Sequence, residues 1–376
     1  MSDKKLTILM LVTKRQYRGA EISACNLSKA LLEKGHTIIW IGLYPNSGHD
    51  IVSIDGAENI DLPNSKSWLS IKKLRKLRSI IKAYQPDICQ ANGSDTLRYL
   101  VFLKLLGCNI KLVYRNISII SKWVDTRPKY FLFRFLFSKT DKVVSVGEES
   151  LEDFNTFFKF PKSKTQVIRR GIPSIAPNFT AVEVIKEAYS ISNEDFVFIH
   201  IGHFSAEKNH AFLLQVWQKL IQRHHNIKLV LLGDGLLREE ILASVRQRNL
   251  SSTVIAPGLQ TGIADWLSIS RVMLLCSTVE GVPGVVVEAS FQGVPTVAVN
   301  VGGVKEVLID GENGLMVSSH DEDLFLQQCE KLLLDKDYHS KLVTNTKVII
   351  KDRFDLDANT NQFVTLYKLI IDEEVV

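Results

Sequence analysis

Two glutamates with seven residues between them bracket the segment Glu280-Gly281-Val282-Pro283-Gly284-Val285-Val286-Val287-Glu288. Glu280 falls in a Gly/Pro loop after the apolar run Val272–Cys276, and Glu288 lies one turn into the helix that follows. A loop that opens a helix exposes backbone N–H groups, which favour anionic or hydroxyl-rich ligands. The Glu288 carboxylate can accept two hydrogen bonds from a ribose diol, as acidic residues do in dinucleotide folds. Glu280 would then face a sugar. The alternative is structural: Glu280 caps the helix and Glu288 is a surface carboxylate. A second segment, Ile201-Gly202-His203-Phe204-Ser205-Ala206-Glu207-Lys208-Asn209, closes another apolar run. Lys208 is placed to neutralise a departing diphosphate, where a positive charge helps most as negative charge grows. It could also be a plain surface lysine, but a cation at a helix start opposes the helix dipole.

These residues need strands and helices to hold them. The chain alternates the two from the start: strand Leu6–Val12, helix Ala20–Lys34 ended by Gly35, strand Thr37–Leu43, helix Ile71–Tyr84, then strands at Asp87–Ala91, Lys111–Tyr114 and Lys142–Val146. The alternation restarts after Gly171 with strands at Phe196–Ile201, Ile227–Leu232, Val254–Ile255, Val272–Cys276 and Pro295–Val299. Residues 173–194, with Pro173 and Pro177, suit a linker. The expected fold is α/β, with two Rossmann-like, doubly wound parallel-sheet domains facing across a cleft. Their expected bounds are 1–172 and 173–355, with a helix at 356–376 crossing back to the first. Ligands of such sheets sit beyond the carboxyl ends of the strands. The loops after Val12, Ile201, Leu232, Cys276 and Val299 should therefore line the cleft.

Composition narrows the class. With 376 residues, 45% hydrophobic and 23% charged, the chain has globular composition and room for two cores. No apolar run approaches the ~20 residues of a membrane span, and Leu6–Val12 is too brief for a signal peptide. Five widely spaced cysteines, none in a Cys-x-x-Cys pair, argue for a reducing compartment and against a zinc site or disulfide frame. The expected location is cytoplasmic. Residues 1–170 carry 29 basic and 15 acidic side chains, formally +14, and the remainder 17 and 26, formally −9. A basic first half suits phosphates, an acidic glycan or an anionic membrane surface, unless it is simply a solvated face. No nucleic-acid recognition motif accompanies it. In Ile71–Tyr84 an apolar stripe of Leu74, Leu77, Ile81 and Tyr84 is surrounded by Lys72, Lys73, Arg75, Lys76, Arg78 and Lys82, while Lys122–Lys139 mixes aromatics with cations. Either stretch could rest on an anionic membrane or pack on the sheet as an ordinary helix.

The two chemical segments, in this order, resemble the retaining glycosyltransferases of family 4, which have the GT-B fold. Arg18-Gly19-Ala20-Glu21 is similar to that family's N-terminal Gly-Gly-Ala-Glu loop, and Val167-Ile168-Arg169-Arg170-Gly171-Ile172 to its domain junction. Leu232-Gly233-Asp234-Gly235 resembles its Gly-Asp/Glu-Gly turn, and Gly302-Gly303-Val304-Lys305-Glu306-Val307 its Gly-Gly-x-x-Glu segment. The resemblance implies a role for each matching position. Gly19 would let the backbone approach a diphosphate bound by Lys208. Glu280 and the backbone of Gly281, Val282, Pro283, Gly284 and Val285 would hold the donor sugar. Glu288 would hold the ribose, and Leu259 would touch the base.

Three departures stand out. His203 replaces a phosphate-binding arginine, Arg18 replaces the first glycine of the loop, and no histidine lies between His49 and His200. A retaining reaction can let the leaving phosphate take the acceptor's proton, so no protein base is named. Arg18, Arg115 and Asn116 are the acceptor-side candidates, with backbone hydrogen bonding at a strand end as the other role for the last two.

The function implied is transfer of a hexose-type sugar from a nucleotide-sugar donor, UDP-linked, to a glycan or lipid-diphosphate-linked acceptor in cell-surface polysaccharide synthesis. Such a protein would sit on the cytoplasmic face of a membrane. No metal, cofactor or nucleic acid is expected. The alternatives are a nucleotide-sugar epimerase of the same fold and a sugar-nucleotide-binding homologue with impaired catalysis. A dehydrogenase is unlike this chain, because no Gly-x-Gly-x-x-Gly follows Leu6–Val12.

Overall fold

The computed structural model describes residues 4–46, 51–65 and 67–372. The chain forms two compact units, one of Met1–Pro173 with Phe354–Val376 and one of Ser174–Arg353. His49 lies outside the described residues.

The first unit is built on β1 (Thr7–Lys14), β2 (Thr37–Tyr44), β3 (Glu58–Asp61), β4 (Ile88–Asn92), β5 (Leu112–Asn116), β6 (Lys142–Ser145) and β7 (Thr165–Val167). They pair in the order β3-β2-β1-β4-β5-β6-β7, and every pairing is parallel. The central strands are runs of Val, Ile and Leu because helices cover both faces. On one face Ile8, Met10, Trp40 and Val113 pack with helix Gly19–Glu33 and with the last helix, Leu356–Asp372, through Phe363, Leu366, Tyr367 and Ile370. On the other, Leu9, Leu11, Tyr114 and Leu77 pack with Phe137, Phe154 and Phe158.

The second unit repeats the plan with β8 (Phe196–Ile201), β9 (Ile227–Leu232), β10 (Val254–Gly258), β11 (Val272–Leu275), β12 (Thr296–Val299) and β13 (Gly314–Val317). The order is β10-β9-β8-β11-β12-β13, again all parallel. Strand order reverses between β1 and β4 in the first sheet and between β8 and β11 in the second. A doubly wound sheet opens a ligand crevice at such a reversal, beyond the strands' carboxyl ends.

Several expectations change. Residues 173–194 are not a plain linker, because 10 of them form helix Phe179–Ala188, capped by the Asn178 side chain, which accepts from the Thr180 and Ala181 amides. The stripe of Ile71–Tyr84 packs into the core, but Lys73 is not one of the surface cations around it. It is fully buried, its ammonium 3.5 Å from the centre of the Tyr44 ring. The stretch Lys122–Lys139 divides: Trp123, Tyr130 and Phe133 pack against the core, whereas Phe131 and Phe135 on helix Arg127–Ser138 are 66% and 46% exposed. Among the described residues no helix is long and apolar enough to cross a membrane.

Candidate functional site

In the second unit the loops after β8 and β11 meet at the reversal of strand order. Ala206–Lys208 make a single tight turn, and Asn209, at φ +52°, starts helix His210–Arg223 by accepting from the Phe212 amide. The Lys208 stem runs over Gly202, where a Cβ would lie only 3.2 Å from its Cδ and Cε. The Lys208 ammonium donates to Glu280 Oε1 at 2.5 Å, and Ser277 Oγ donates to the same oxygen at 2.6 Å. The Thr278 amide donates to the Glu207 carbonyl at 2.8 Å, so the two loops are also joined through backbone. Glu280 therefore does not cap a helix. Pro283 stands at the N-cap of Gly284–Phe291 with no side-chain cap bond. The pair is largely shielded, with side chains 19% and 9% exposed, so its charges interact more strongly than a surface pair would.

Glycines set the neighbouring backbone. A Cβ at Gly302, φ +53°, would stand 2.0 Å from the Glu280 carbonyl, and one at Gly303 2.6 Å from that of Gly281. The Gly302-Gly303 pair is thus the seat on which the Glu280 loop rests. Likewise a Cβ at Gly233, φ +143°, would lie 1.9 Å from the Gly202 carbonyl, and one at Gly235 2.9 Å from the His203 ring. The Gly233 amide donates to the Gly258 carbonyl at 3.1 Å, bringing in the loop of Leu259, whose side chain is exposed. Contacts thus join the loops of His203, Lys208, Glu280, Gly281 and Leu259. Val282, Pro283 and Gly284 are buried beneath them, Val285 is half-buried, and half-buried Glu288 sits one turn into the helix.

Behind Lys208 lie two histidines that the sequence did not single out. His200 Nδ1 donates to the Leu274 carbonyl at 2.9 Å, and the His210 ring stands edge-on to His200 with centres 4.8 Å apart. Burial pushes both imidazoles down, His200 to about 4 and His210 to about 2. Above pH 6.5 they are neutral whether the chain is folded or not. As pH falls from 6.5 towards 4, the unfolded chain takes up protons that the folded one refuses, so stability drops, by about 3 kcal/mol for His200 over that window. Urea midpoints measured from pH 7 to pH 4.5 should fall steeply, and His210→Phe should flatten that slope. An unchanged slope in the variant would contradict neutral burial of His210.

The first unit has a cavity of about 300 Å³ at its own reversal of strand order, lined by Thr13 at the end of β1, Ala20, Glu21, Asn92, Gly93, Ser94, Asp95, Tyr114, Ile117, Ser118 and Trp123. Burial raises the Glu21 carboxyl above its ordinary value, opposed by the Gln16 amide, which donates to it at 3.1 Å. Asp95 accepts from Arg98 at 2.8 Å. Gly19 is exposed at the first turn of its helix, a Cβ there would meet nothing within 4 Å, and Arg18 is exposed beside it.

Arg115 and Asn116 do not line this cavity. They are 1% and 0% exposed. Arg115 donates to Ser23 Oγ at 3.0 Å and lies over the Phe363 ring, while the Asn116 amide donates to Ser145 Oγ and the Ser150 carbonyl. Both side chains lie inside the fold, where Arg115 Nε and Nη1 and Asn116 Oδ1 have no hydrogen-bond partner among the described residues. The wall is made instead by Glu21, Asn92, Asp95 and Trp123. Two of them carried a signal: Glu21 closes the Arg18-Gly19-Ala20-Glu21 loop, and Asn92 is a polar residue closing an apolar strand.

Asp-x-Asp pairs do occur, at Asp321–Asp323, Asp335–Asp337 and Asp355–Asp357, but each opens a helix. The first Asp of each accepts backbone amides of the following turn. Among the described residues no three His, Cys, Asp or Glu side chains gather as a metal site would need.

Comparison with known proteins gives two family matches: residues 17–174 match Glycosyltransferase Family 4, and residues 182–348 match Glycosyl transferases group 1. A Bacillus subtilis (strain 168) protein, EpsF, named as a glycosyltransferase, is 30% identical over 308 residues, covering 79% of this chain and 80% of that one. The N-acetyl-alpha-D-glucosaminyl L-malate synthase of Bacillus anthracis is 24% identical over 368 residues, 95% of each. Among solved structures, Anabaena Alr3699/HepE in complex with UDP-glucose superposes with a TM-score of 0.82 at 18% identity, covering 96% of this chain and 99% of that one.

Proposed function

The chain belongs to the group 1 glycosyltransferases, and from that premise we propose that it moves a hexose-type sugar from a UDP-linked donor, with retention and without a metal, to a glycan or lipid-diphosphate-linked acceptor. The observation that carries this reading is the meeting of Lys208 and Glu280 at the β8/β11 reversal. There an ammonium and a carboxylate share a glycine-lined cluster of loops.

Each group answers one part of a nucleotide sugar. Lys208 neutralises the diphosphate as the bond to the sugar breaks, when its negative charge is growing. Glu280 and the backbone of 281–285 take the sugar hydroxyls, Glu288 the ribose diol, and Leu259 offers an apolar face to the base. His203 donates to a phosphate oxygen where relatives use a guanidinium. Gly19, with no side chain, leaves the start of its helix open to a phosphate. The departing phosphate accepts the acceptor's proton, so the first unit supplies no base. The UDP-glucose complex of the Anabaena protein supports the choice of nucleotide.

The acceptor side belongs to the first unit, whose cavity offers carboxylates, an amide and an indole to a hydroxylated ring. Phe131 and Phe135 project outward beside Arg134 and Lys139 and suit the surface of an anionic bilayer on the cytoplasmic side, next to a lipid-linked acceptor. The test is a panel of UDP-, GDP-, ADP- and dTDP-sugars with the purified protein. Release of the free nucleotide is followed with undecaprenyl-diphosphate-linked N-acetylglucosamine, with L-malate, and with neither. Turnover should require a UDP-sugar and the lipid-linked acceptor. Equal release without any acceptor would point to an epimerase-type reaction with water instead.

A further inference from the structure

The cavity of the first unit is wired to the last helix of the chain by an unbroken run of buried hydrogen bonds. Tyr367, on Leu356–Asp372, donates its hydroxyl to Gln90 Oε1 at 2.5 Å. Gln90 Nε2 donates to Asn92 Oδ1 at 3.0 Å, and Asn92 Nδ2 donates to the Leu11 carbonyl at 3.3 Å. Tyr367 and Gln90 are fully buried, while Asn92 reaches the cavity wall.

The direction of every bond follows from the far end. The Leu11 carbonyl can only accept, so the Asn92 amide must turn its nitrogen that way and its oxygen towards Gln90. Gln90 must then present nitrogen to Asn92 and oxygen to Tyr367, whose hydroxyl is free to donate. An interior of low dielectric makes each misplaced partner costly, so the run has one arrangement. Asn92 keeps one N–H that no bond in the run consumes.

We propose that Tyr367 is a positioning residue for this cavity, holding the Asn92 amide so that it offers a hydrogen-bond donor to a hydroxyl oxygen of the acceptor's sugar. Glu21 and Asp95 on the same wall are acceptors, so Asn92 complements them. A sugar hydroxyl that donates to a carboxylate still needs a donor for its own oxygen. The inference rests on the transferase reading above and names a specificity element of its acceptor side. Tyr367 lies far along the chain from β4, yet its hydroxyl anchors Gln90 and so steadies a β4 side chain whose direction the Leu11 carbonyl sets.

The test uses the full chain, UDP-glucose and undecaprenyl-diphosphate-linked N-acetylglucosamine. Tyr367→Phe keeps the ring in its packing and removes only the hydroxyl. The KM for the acceptor should rise about 5- to 10-fold, with the KM for the UDP-sugar unchanged and kcat within about 2-fold. Asn92→Ala should raise the acceptor KM more, and adding Tyr367→Phe to it should change nothing further, because the two act through one run. Gln90→Met should behave as Tyr367→Phe does, giving a second route should the tyrosine variant fold poorly. An acceptor KM unmoved in folded Tyr367→Phe, or effects of Tyr367→Phe and Asn92→Ala that simply multiply, would overturn the proposal while leaving transfer intact. A wild-type chain that transfers from no nucleotide sugar would overturn the transferase reading itself, and this inference with it.

Discussion

Alanine at Lys208 should lower sugar transfer by about 100- to 1000-fold, the loss seen when one preorganised charge partner of a transition state is removed. The fold should survive. The Glu280 carboxylate loses the ammonium but keeps the Ser277 hydroxyl, so the destabilisation is about 1–3 kcal/mol. Glu280→Gln separates the two roles. Its amide still reaches sugar hydroxyls but no longer draws the Lys208 ammonium by charge, leaving that ammonium to phosphate. Turnover of the UDP-sugar should fall about 10- to 100-fold, while the affinity for UDP alone stays level or improves. Titration calorimetry with UDP, alongside a radiolabelled transfer assay, checks both. Full activity in Lys208→Ala would remove the assigned donor site, as would UDP affinity falling in step with turnover in Glu280→Gln.

Gly302→Ala should destabilise the second unit by about 2–5 kcal/mol, the sum of a left-handed backbone forced on alanine and a methyl driven into main chain. The methyl would meet the Glu280 carbonyl, 2.0 Å from the ideal Cβ, and no side-chain rotation relieves that. If the loop gives way instead, Glu280 moves off Lys208 and transfer is lost in a folded protein. Either result shows in urea unfolding read together with activity. Gly19→Ala is the contrast. A Cβ there meets nothing within 4 Å, so stability should stay within about 0.5 kcal/mol. If Gly19 serves as proposed, transfer should nevertheless fall, because the methyl takes space the helix start leaves open to a phosphate. A Gly302→Ala protein with wild-type stability and activity would show that the Gly-Gly seat does not hold the Glu280 loop.

The buried strands were plain in the sequence because helices cover both sheet faces, and such strands are continuous apolar runs: Phe196–Ile201 and Ile227–Leu232 stand where their runs lie. β3 was missed because Glu-Asn-Ile-Asp is an edge strand with little to bury, and β7 because Thr-Gln-Val is an equally short edge. β13 was missed because its run, Gly-Leu-Met-Val, opens on glycine and leaves only three apolar residues. Glu280 and Lys208 were legible because each follows an apolar run and sits among glycines. That they touch was not, because their contact spans 72 residues and depends on strand order, which no local pattern encodes. Arg115 and Asn116 misled for the same reason. A polar pair at a strand end can face a cavity or the interior, and what decides is the helix above. For Arg115 that helix is the last one in the chain, which puts Phe363 beneath its guanidinium.

The placement of that helix also governs how the protein must be made. The sheet of the first unit is complete by Pro173, but the face carrying Ile8, Met10 and Val113, covered by then only by helix Gly19–Glu33, lacks its second cover until Phe363, Leu366 and Tyr367 have left the ribosome. At about 5–20 residues per second, that delay is about 10–40 seconds. The second unit, continuous from Ser174 to Arg353, can close during the wait. The order of maturation is therefore inverted relative to the order of synthesis: of the two units, the one begun first is finished last, with part of an apolar sheet face open to chaperones or to neighbouring nascent chains in the meantime.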